Sequence, residues 1–237
     1  MKIKAVLFDL DGTLLPMDLE EFFSAYFKLL AKRLYPYGCT DPKALVKVIW
    51  NGVDAVIKND GSELNENVFW GVFDSAYPME GVDKRELLDD FYGKDFQSLK
   101  EICGYNPEAD KAVKAIRKKG LRTVIATKPI FPKSAVISRM EWAGLDVNDF
   151  EYCTSYDKCT YCKPDCGYYR EIAEKMGLSP EECLMVGNDV SEDMTAAEIG
   201  MKVFLLTDCL IADEGCDISV YRNGGFKELL DYINEIS

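Results

Sequence analysis

Short apolar runs rich in branched residues recur along this chain: Ile3–Phe8, Leu121–Ala126, Phe150–Thr154, Cys183–Val186 and Lys202–Leu206. Each is too brief for a helix and lacks strict alternation, which suits a strand buried on both faces. Between the later runs lie helical stretches, Glu108–Lys119, Pro132–Ala143, Asp165–Met176 and Ser191–Ile199. Gly120, Gly144, Gly177 and Gly200 stand just past them, where a helix stop is expected. Repeated strand–helix alternation implies a parallel sheet with helices on both faces, so the expected class is α/β. A last helix, Gly225–Ile236, closes the pattern.

The rhythm breaks after the first strand. Leu19, Phe22, Phe23, Tyr26, Phe27, Leu30 and Leu34 fall at helical spacing, and Asp41-Pro42 opens a second helix with Leu45, Val48, Ile49 and Val56 on one face. Asn65–Ala76 and Asp83–Ile102 read as further helices. The organisation expected is a Rossmann-like core from 1–16 and 100–237, interrupted by a helical bundle over 17–99.

Composition narrows the chemistry. The 237 residues include no histidine, which excludes a Ser-His-Asp triad, a Cys-His pair and an HExxH zinc site. Acid–base work falls to carboxylates, Lys, Tyr or Cys. A formal charge of −13 argues against nucleic acid or anionic membrane as a partner. Asp9 interrupts the apolar N-terminal run, so no secretory signal is read there, and no stretch reaches the ~18 apolar residues of a membrane span. A cytoplasmic location is expected, and with it free thiols as the default state of the nine cysteines. Cys153, Cys159, Cys162 and Cys166 lie close together with one C-x-x-C spacing, so a bound metal or a disulfide is the alternative there.

In an open parallel sheet the ligand site lies beyond the C-terminal strand ends. Polar clusters stand at those ends: Asp9-Leu10-Asp11-Gly12-Thr13 after the first strand, Thr127-Lys128-Pro129 after the second, Lys163-Pro164 on the loop after the third, and Gly187-Asn188-Asp189 with Asp193 after the fourth. Four carboxylates in one crevice repel unless a cation joins them. Hard oxygen donors without His or Cys point to Mg²⁺. A nucleophilic carboxylate, a second carboxyl able to move a proton, a hydroxyl, a lysine and Mg²⁺ form a working set for phosphoryl transfer.

Asp9-Leu10-Asp11-Gly12-Thr13 after an N-terminal strand, followed by the other three clusters in order, resembles the haloacid dehalogenase-like (HAD) superfamily. The insert directly after the motif looks like the cap of its helical-cap subgroup, with phosphoglycolate phosphatase-like and β-phosphoglucomutase-like enzymes. The resemblance implies that Asp9 attacks phosphorus and that Asp11 serves as general acid and base. It implies that Thr127, Lys128 and Gly12 meet the phosphoryl group and that Lys163 offsets its charge. Asp9, Asp11 through its main-chain carbonyl, Asp189 and Asp193 would hold Mg²⁺. Lys128 departs from the family's frequent Asn and brings a second cation within reach of the pocket.

The second Asp implies a phosphatase or phosphomutase rather than a dehalogenase. The expectation is a Mg²⁺-dependent phosphatase acting on a small phosphorylated metabolite, as a monomer or homodimer. A sugar phosphomutase and a non-catalytic phosphate-binding scaffold are the rival readings.

Overall fold

The computed structural model describes residues 2–236. Met1 and Ser237, the outermost residues of the expected core, lie outside them. The strands are β1 Ala5–Phe8, β2 Arg122–Ile125, β3 Tyr152–Cys153, β4 Cys183–Gly187, β5 Lys202–Leu206 and β6 Asn223–Gly224. They form one sheet in the order β3-β2-β1-β4-β5-β6, and every pairing is parallel. The helices are α1 Leu19–Leu34, α2 Pro42–Ile57, α3 Asn65–Ala76, α4 Lys84–Gly93, α5 Pro107–Lys118, α6 Lys133–Trp142, α7 Cys166–Lys175 and α8 Phe226–Ile236.

The near-continuous apolar strands reflect burial on both sides. Val6 and Phe8 of β1 face Ala112, Val113 and Ile116 of α5, Val136 and Met140 of α6, and Leu229 and Ile233 of α8, in one hydrophobic cluster. Ala5 and Leu7 face the opposite cluster, which holds Tyr168, Tyr169 and Ile172 of α7. Because the period of a strand is two, one strand feeds both layers. Each fully buried Leu, Val or Phe contributes about 1.5–3 kcal/mol.

The inserted helices start where a side chain can cap them. Asp18 accepts from Glu21 N at 3.0 Å before α1, Asp41 from Lys43 N at 2.9 Å before α2, and Asp83 from Glu86 N at 3.1 Å before α4. Phe22, Tyr26, Phe91 and Phe96 of the insert share the α5–α6–α8 cluster, with the Phe96 and Trp142 rings 5.0 Å apart. A second tie is polar. Asn65, fully buried, donates its main-chain N–H to Cys159 O at 2.9 Å and its Nδ2 to Tyr161 O at 3.0 Å.

Several expected bounds shift, each for a local reason. Asp83–Ile102 is not one helix. It breaks at Lys94 (φ −124°, ψ −76°), and Asp95–Ile102 continues as 3₁₀. Arg33 of α1 bonds Asp90 and Asp95 across that break, at 2.8 Å each. Ser191–Ile199 is helical only from Met194, as 3₁₀, because Asp189 Oδ1 captures Ser191 N at 2.7 Å and Glu192 N at 3.1 Å in a turn. The run Phe150–Thr154 pairs as a strand only at Tyr152–Cys153. β6, two residues long, has no apolar run to mark it. No helix among the described residues is long and apolar enough to cross a membrane.

Candidate active site

The strand order turns at β1, which has β2 on one side and β4 on the other. Asp9 is the first residue beyond β1, and its N–H donates to Val186 O at 2.9 Å, which holds it in register with β4. The loop then folds back sharply. Leu10 O accepts from the N–H of Thr13, Leu14 and Leu15 at 3.2, 3.0 and 2.8 Å. Gly12 sits at φ +82°, and a Cβ there would fall 2.5 Å from Asn188 Nδ2. Thr13 Oγ1 donates to Asn188 Oδ1 at 2.8 Å, and Asn188 Nδ2 to Cys209 O at 2.7 Å. The loops after β1 and β4 are thereby tied together.

Lys163, 1 % exposed, donates to Asp9 Oδ1 at 2.8 Å and to Asp193 Oδ1 at 2.6 Å. Asp193 Oδ2 accepts from Asp189 N at 3.0 Å, so both of its oxygens are engaged. Burial pushes the Asp9 carboxyl from its ordinary 3.8 up to about 7, against the pull of Lys163 and with the charges of Asp193 and Asp11 adding to the rise. Burial alone would lower Lys163, but Asp193 and Asp9 outweigh it and hold the ammonium well above its ordinary value.

Thr127 follows β2, and its carbonyl accepts from Thr154 Oγ1 at 2.7 Å and Tyr168 Oη at 2.8 Å. Its own Oγ1 lies 3.5 Å from Asp11 Oδ2. Asp11 Oδ2 also forms an ion pair with Arg139 of α6, while Asp11 Oδ1 is buried without a partner. The Arg139 side chain, 1 % exposed, donates through Nε to Ala135 O at 3.2 Å and lies 4.5 Å from the Phe131 ring centre. Asp9, Asp11, Thr127, Lys128, Asn188, Asp189 and Asp193 all line one cavity of about 180 Å³. Lys163 lies beneath it, behind Asp9.

Two expectations need correction. The four carboxylates are not left to repel one another: Lys163 joins Asp9 to Asp193, Arg139 takes Asp11, and Asp189 accepts from Ser191 and Glu192. Among the described residues no group of three or more His, Cys, Asp or Glu is arranged around a metal position. Lys128 is not an added free cation, since its ammonium pairs with Glu192. The donors themselves still suit Mg²⁺. No hydrogen bond among the described residues reaches Asp9 Oδ2, Asp189 Oδ2 or the Asp11 carbonyl, all hard oxygens of residues that line the same cavity.

The nine cysteines are free thiols in this structure. Cys159 and Cys162 are buried, and burial pushes their thiols up to about 11 and about 12, away from the thiolate a metal or an exchange reaction needs.

Arg139 and Glu192 belong to the site and were not read from the sequence. Arg139 had a signal. It falls inside the buried stripe of α6, between Ala135, Val136 and Met140, where a charge needs a partner. Glu192 had none, as one acid among several on an acidic loop.

A family model described as haloacid dehalogenase-like hydrolase matches residues 3–199. The chain is 25% identical over 211 residues to the enolase-phosphatase E1 of Persephonella marina, covering 86% of this chain and 88% of that one. Among solved structures it resembles a HAD phosphatase from Thermococcus onnurineus, at 20% identity, 98% of both chains and a TM-score of 0.62. It also resembles YfnB of Bacillus subtilis in a magnesium-bound form, at 16% identity, 99% of this chain, 100% of that one and a TM-score of 0.56. The last two likenesses show the fold.

Proposed function

The chain belongs to the haloacid dehalogenase-like hydrolase family, and within it we propose a Mg²⁺-dependent phosphatase that cleaves a small phosphorylated metabolite through an aspartyl-phosphate. The observation that carries this reading is Lys163 Nζ at 2.8 Å from Asp9 Oδ1, with Asp9, Asp11 and Thr127 lining one cavity. A buried ammonium orients one carboxylate oxygen and leaves the other facing the space where phosphorus would sit. Phosphatase-named relatives and the magnesium-bound neighbour support it.

Asp9 Oδ2 attacks phosphorus while the bond from phosphorus to the leaving oxygen breaks. Asp11 gives its proton to that oxygen, so the alcohol departs neutral. Asp11 then takes a proton from the water that attacks the aspartyl-phosphate, which releases inorganic phosphate and restores Asp9. Thr127 Oγ1 and Lys128, which turns from Glu192, bind the phosphoryl oxygens; the Gly12 N–H, expected there too, already donates to Leu15 O at 2.8 Å. Asp9, Asp189 and the Asp11 carbonyl would hold Mg²⁺, which when bound polarises the phosphoryl oxygens and offsets carboxylate charge. Asp193, expected as a further ligand, has one oxygen on Lys163 and the other on the Asp189 N–H, and in this reading it fixes those two groups instead. The segment 17–99 is the cap: it roofs the cavity and keeps water from the first step.

The test is acid quench of the Mg²⁺-loaded protein with ³²P-labelled p-nitrophenyl phosphate. We expect label bound as a hydroxylamine-sensitive acyl phosphate, lost in Asp9→Asn and in EDTA. Turnover without trapped label in any quench window, or full activity of Asp9→Asn, would overturn the reading.

A further inference from the structure

The cavity above Asp9 is divided by chemistry. Its floor is polar, from the strand ends. Its roof is Leu19 and Phe23 of α1, Trp50, Val53 and Ile57 of α2, and Phe131 after β2. The Phe23 ring lies 5.3 Å from Trp50 and 6.2 Å from Phe131, so three rings form a continuous wall. Phe23, Trp50 and Phe131 also wall a second, deeper chamber of about 50 Å³, whose far side is Phe69, Trp70 and Phe73. The lining behind the roof is mainly apolar, and its one lysine, Lys84, is paired with Asp74.

Charge in the cavity is equally one-sided. Among the described residues that line it, the one cation is Lys128, which pairs with Glu192 and is assigned to the transferred phosphoryl group, so none is left for a second anion. Lys163 is buried beneath Asp9 with two carboxylates. The charged group on the α2 side is Asp54, an anion. A carboxylate or second phosphate on the substrate would meet no Arg or Lys there and would face Asp54 at the rim. Recognition of such groups needs charge-assisted donors.

We propose that the substrate is a phosphomonoester whose alcohol part is uncharged and apolar, an alkyl or aryl group packed against the Phe23–Trp50–Phe131 wall. This rests on the phosphatase reading and deepens it. The same wall disfavours a bisphosphate intermediate, which a phosphomutase must hold while it turns over, and disfavours a substrate with a carboxylate beside the phosphate.

The test is calorimetric titration of the Mg²⁺-loaded protein with methyl-, butyl- and hexylphosphonate and with phosphonoacetate, alongside hydrolysis of acetyl phosphate. We expect affinity to rise roughly fourfold per methylene, the ratio that burial of a CH₂ supplies, with phosphonoacetate weaker than butylphosphonate. Trp50, 39 % exposed, can be truncated without opening the core. Trp50→Ala should flatten the series, read as the ratio of hexylphosphonate to methylphosphonate affinity. A series flat in the unmodified protein, absent binding of hexylphosphonate, or phosphonoacetate as the tightest ligand would overturn the inference even where acetyl phosphate is hydrolysed. A rising series with no acetyl phosphate turnover would instead overturn the phosphatase reading and retain the apolar subsite. An unaltered slope in Trp50→Ala would overturn the placement on this wall.

Discussion

Arg139, in the last turn of α6, forms an ion pair with Asp11, two residues beyond the carboxylate that Lys163 holds. The Arg139 side chain is 1 % exposed and pairs with Asp11 Oδ2, while Asp11 Oδ1 is buried with no partner among the described residues. Arg139 and Thr127 both donate to Asp11 Oδ2, so Oδ1 is the oxygen left to carry a proton to a leaving group while the ion pair stays in place. Removing one partner of a buried pair strands the other charge, at about 3–5 kcal/mol. Arg139→Met should lose stability on that scale in urea titration. Arg139→Met/Asp11→Asn should recover part of the loss, since no buried charge is then unpaired. A double variant no more stable than the single one would mean that Arg139 acts through packing on Phe131 alone.

A pH signature follows from Asp9. Burial raises its carboxyl from 3.8 to about 7 in the folded chain. A group whose pKa is raised on folding contributes stability that is complete below its unfolded value and is lost as pH rises through the folded one. The metal-free protein should therefore lose the Asp9 contribution progressively between about pH 4 and pH 7. Asp9→Asn resembles the protonated acid and cannot ionise. Measured by denaturation in EDTA, its stability advantage over the natural chain should be widest above pH 7 and narrow toward pH 4. A gap independent of pH would mean that Lys163 keeps Asp9 ionised throughout.

The strands that build the site were legible because a parallel strand is buried on both faces and writes its burial as a short apolar run. β6 was not, since Asn223–Gly224 has no such run. The break inside Asp83–Ile102 follows Gly93, the last residue of α4, and Arg33 bonds Asp90 and Asp95 on either side of it from about sixty residues away, a tie that no local pattern encodes. Asp9, Asp11, Thr127, Lys163 and Asp189 were legible because topology brings strand ends together whatever lies between them. Their pairings were not. Lys128 meets Glu192, and Asp11 meets Arg139, through side-chain directions that only the folded backbone sets.

Gly187 ends β4 beneath Asp193. A Cβ there would lie 2.0 Å from Asp193 Oδ2, and the glycine's φ is not in the left-handed region, so the constraint is contact alone. Gly187→Ala must displace Asp193, and through it Lys163 and the Asp189 backbone. Overpacking of this kind costs about 1–3 kcal/mol, and turnover should fall by more than that loss of folded protein explains. Activity per folded molecule equal to that of the natural chain would show that Asp193 does not position Lys163.

The role assigned to Asp11 separates from its ion pair by leaving-group dependence. A general acid matters most when the departing oxygen is a poor leaving group. p-Nitrophenolate departs with little protonation, whereas an alkoxide needs a full proton. Asp11→Asn should slow formation of the aspartyl-phosphate strongly for butyl phosphate and weakly for p-nitrophenyl phosphate. Hydrolysis of the aspartyl-phosphate is common to both substrates and should slow equally, since Asp11 is then the base for water. In rapid-quench experiments the phosphoenzyme should accumulate with p-nitrophenyl phosphate and not with butyl phosphate. Arg139→Met supplies the control, because it removes the pair and keeps the acid. If Asp11 is the proton carrier, Arg139→Met retains the natural ratio of the two substrates, whatever its absolute rate. Equal slowing of both substrates in Asp11→Asn, with the same pattern in Arg139→Met, would assign Asp11 to holding the loop after β1 and send the search for the acid to the inserted helices.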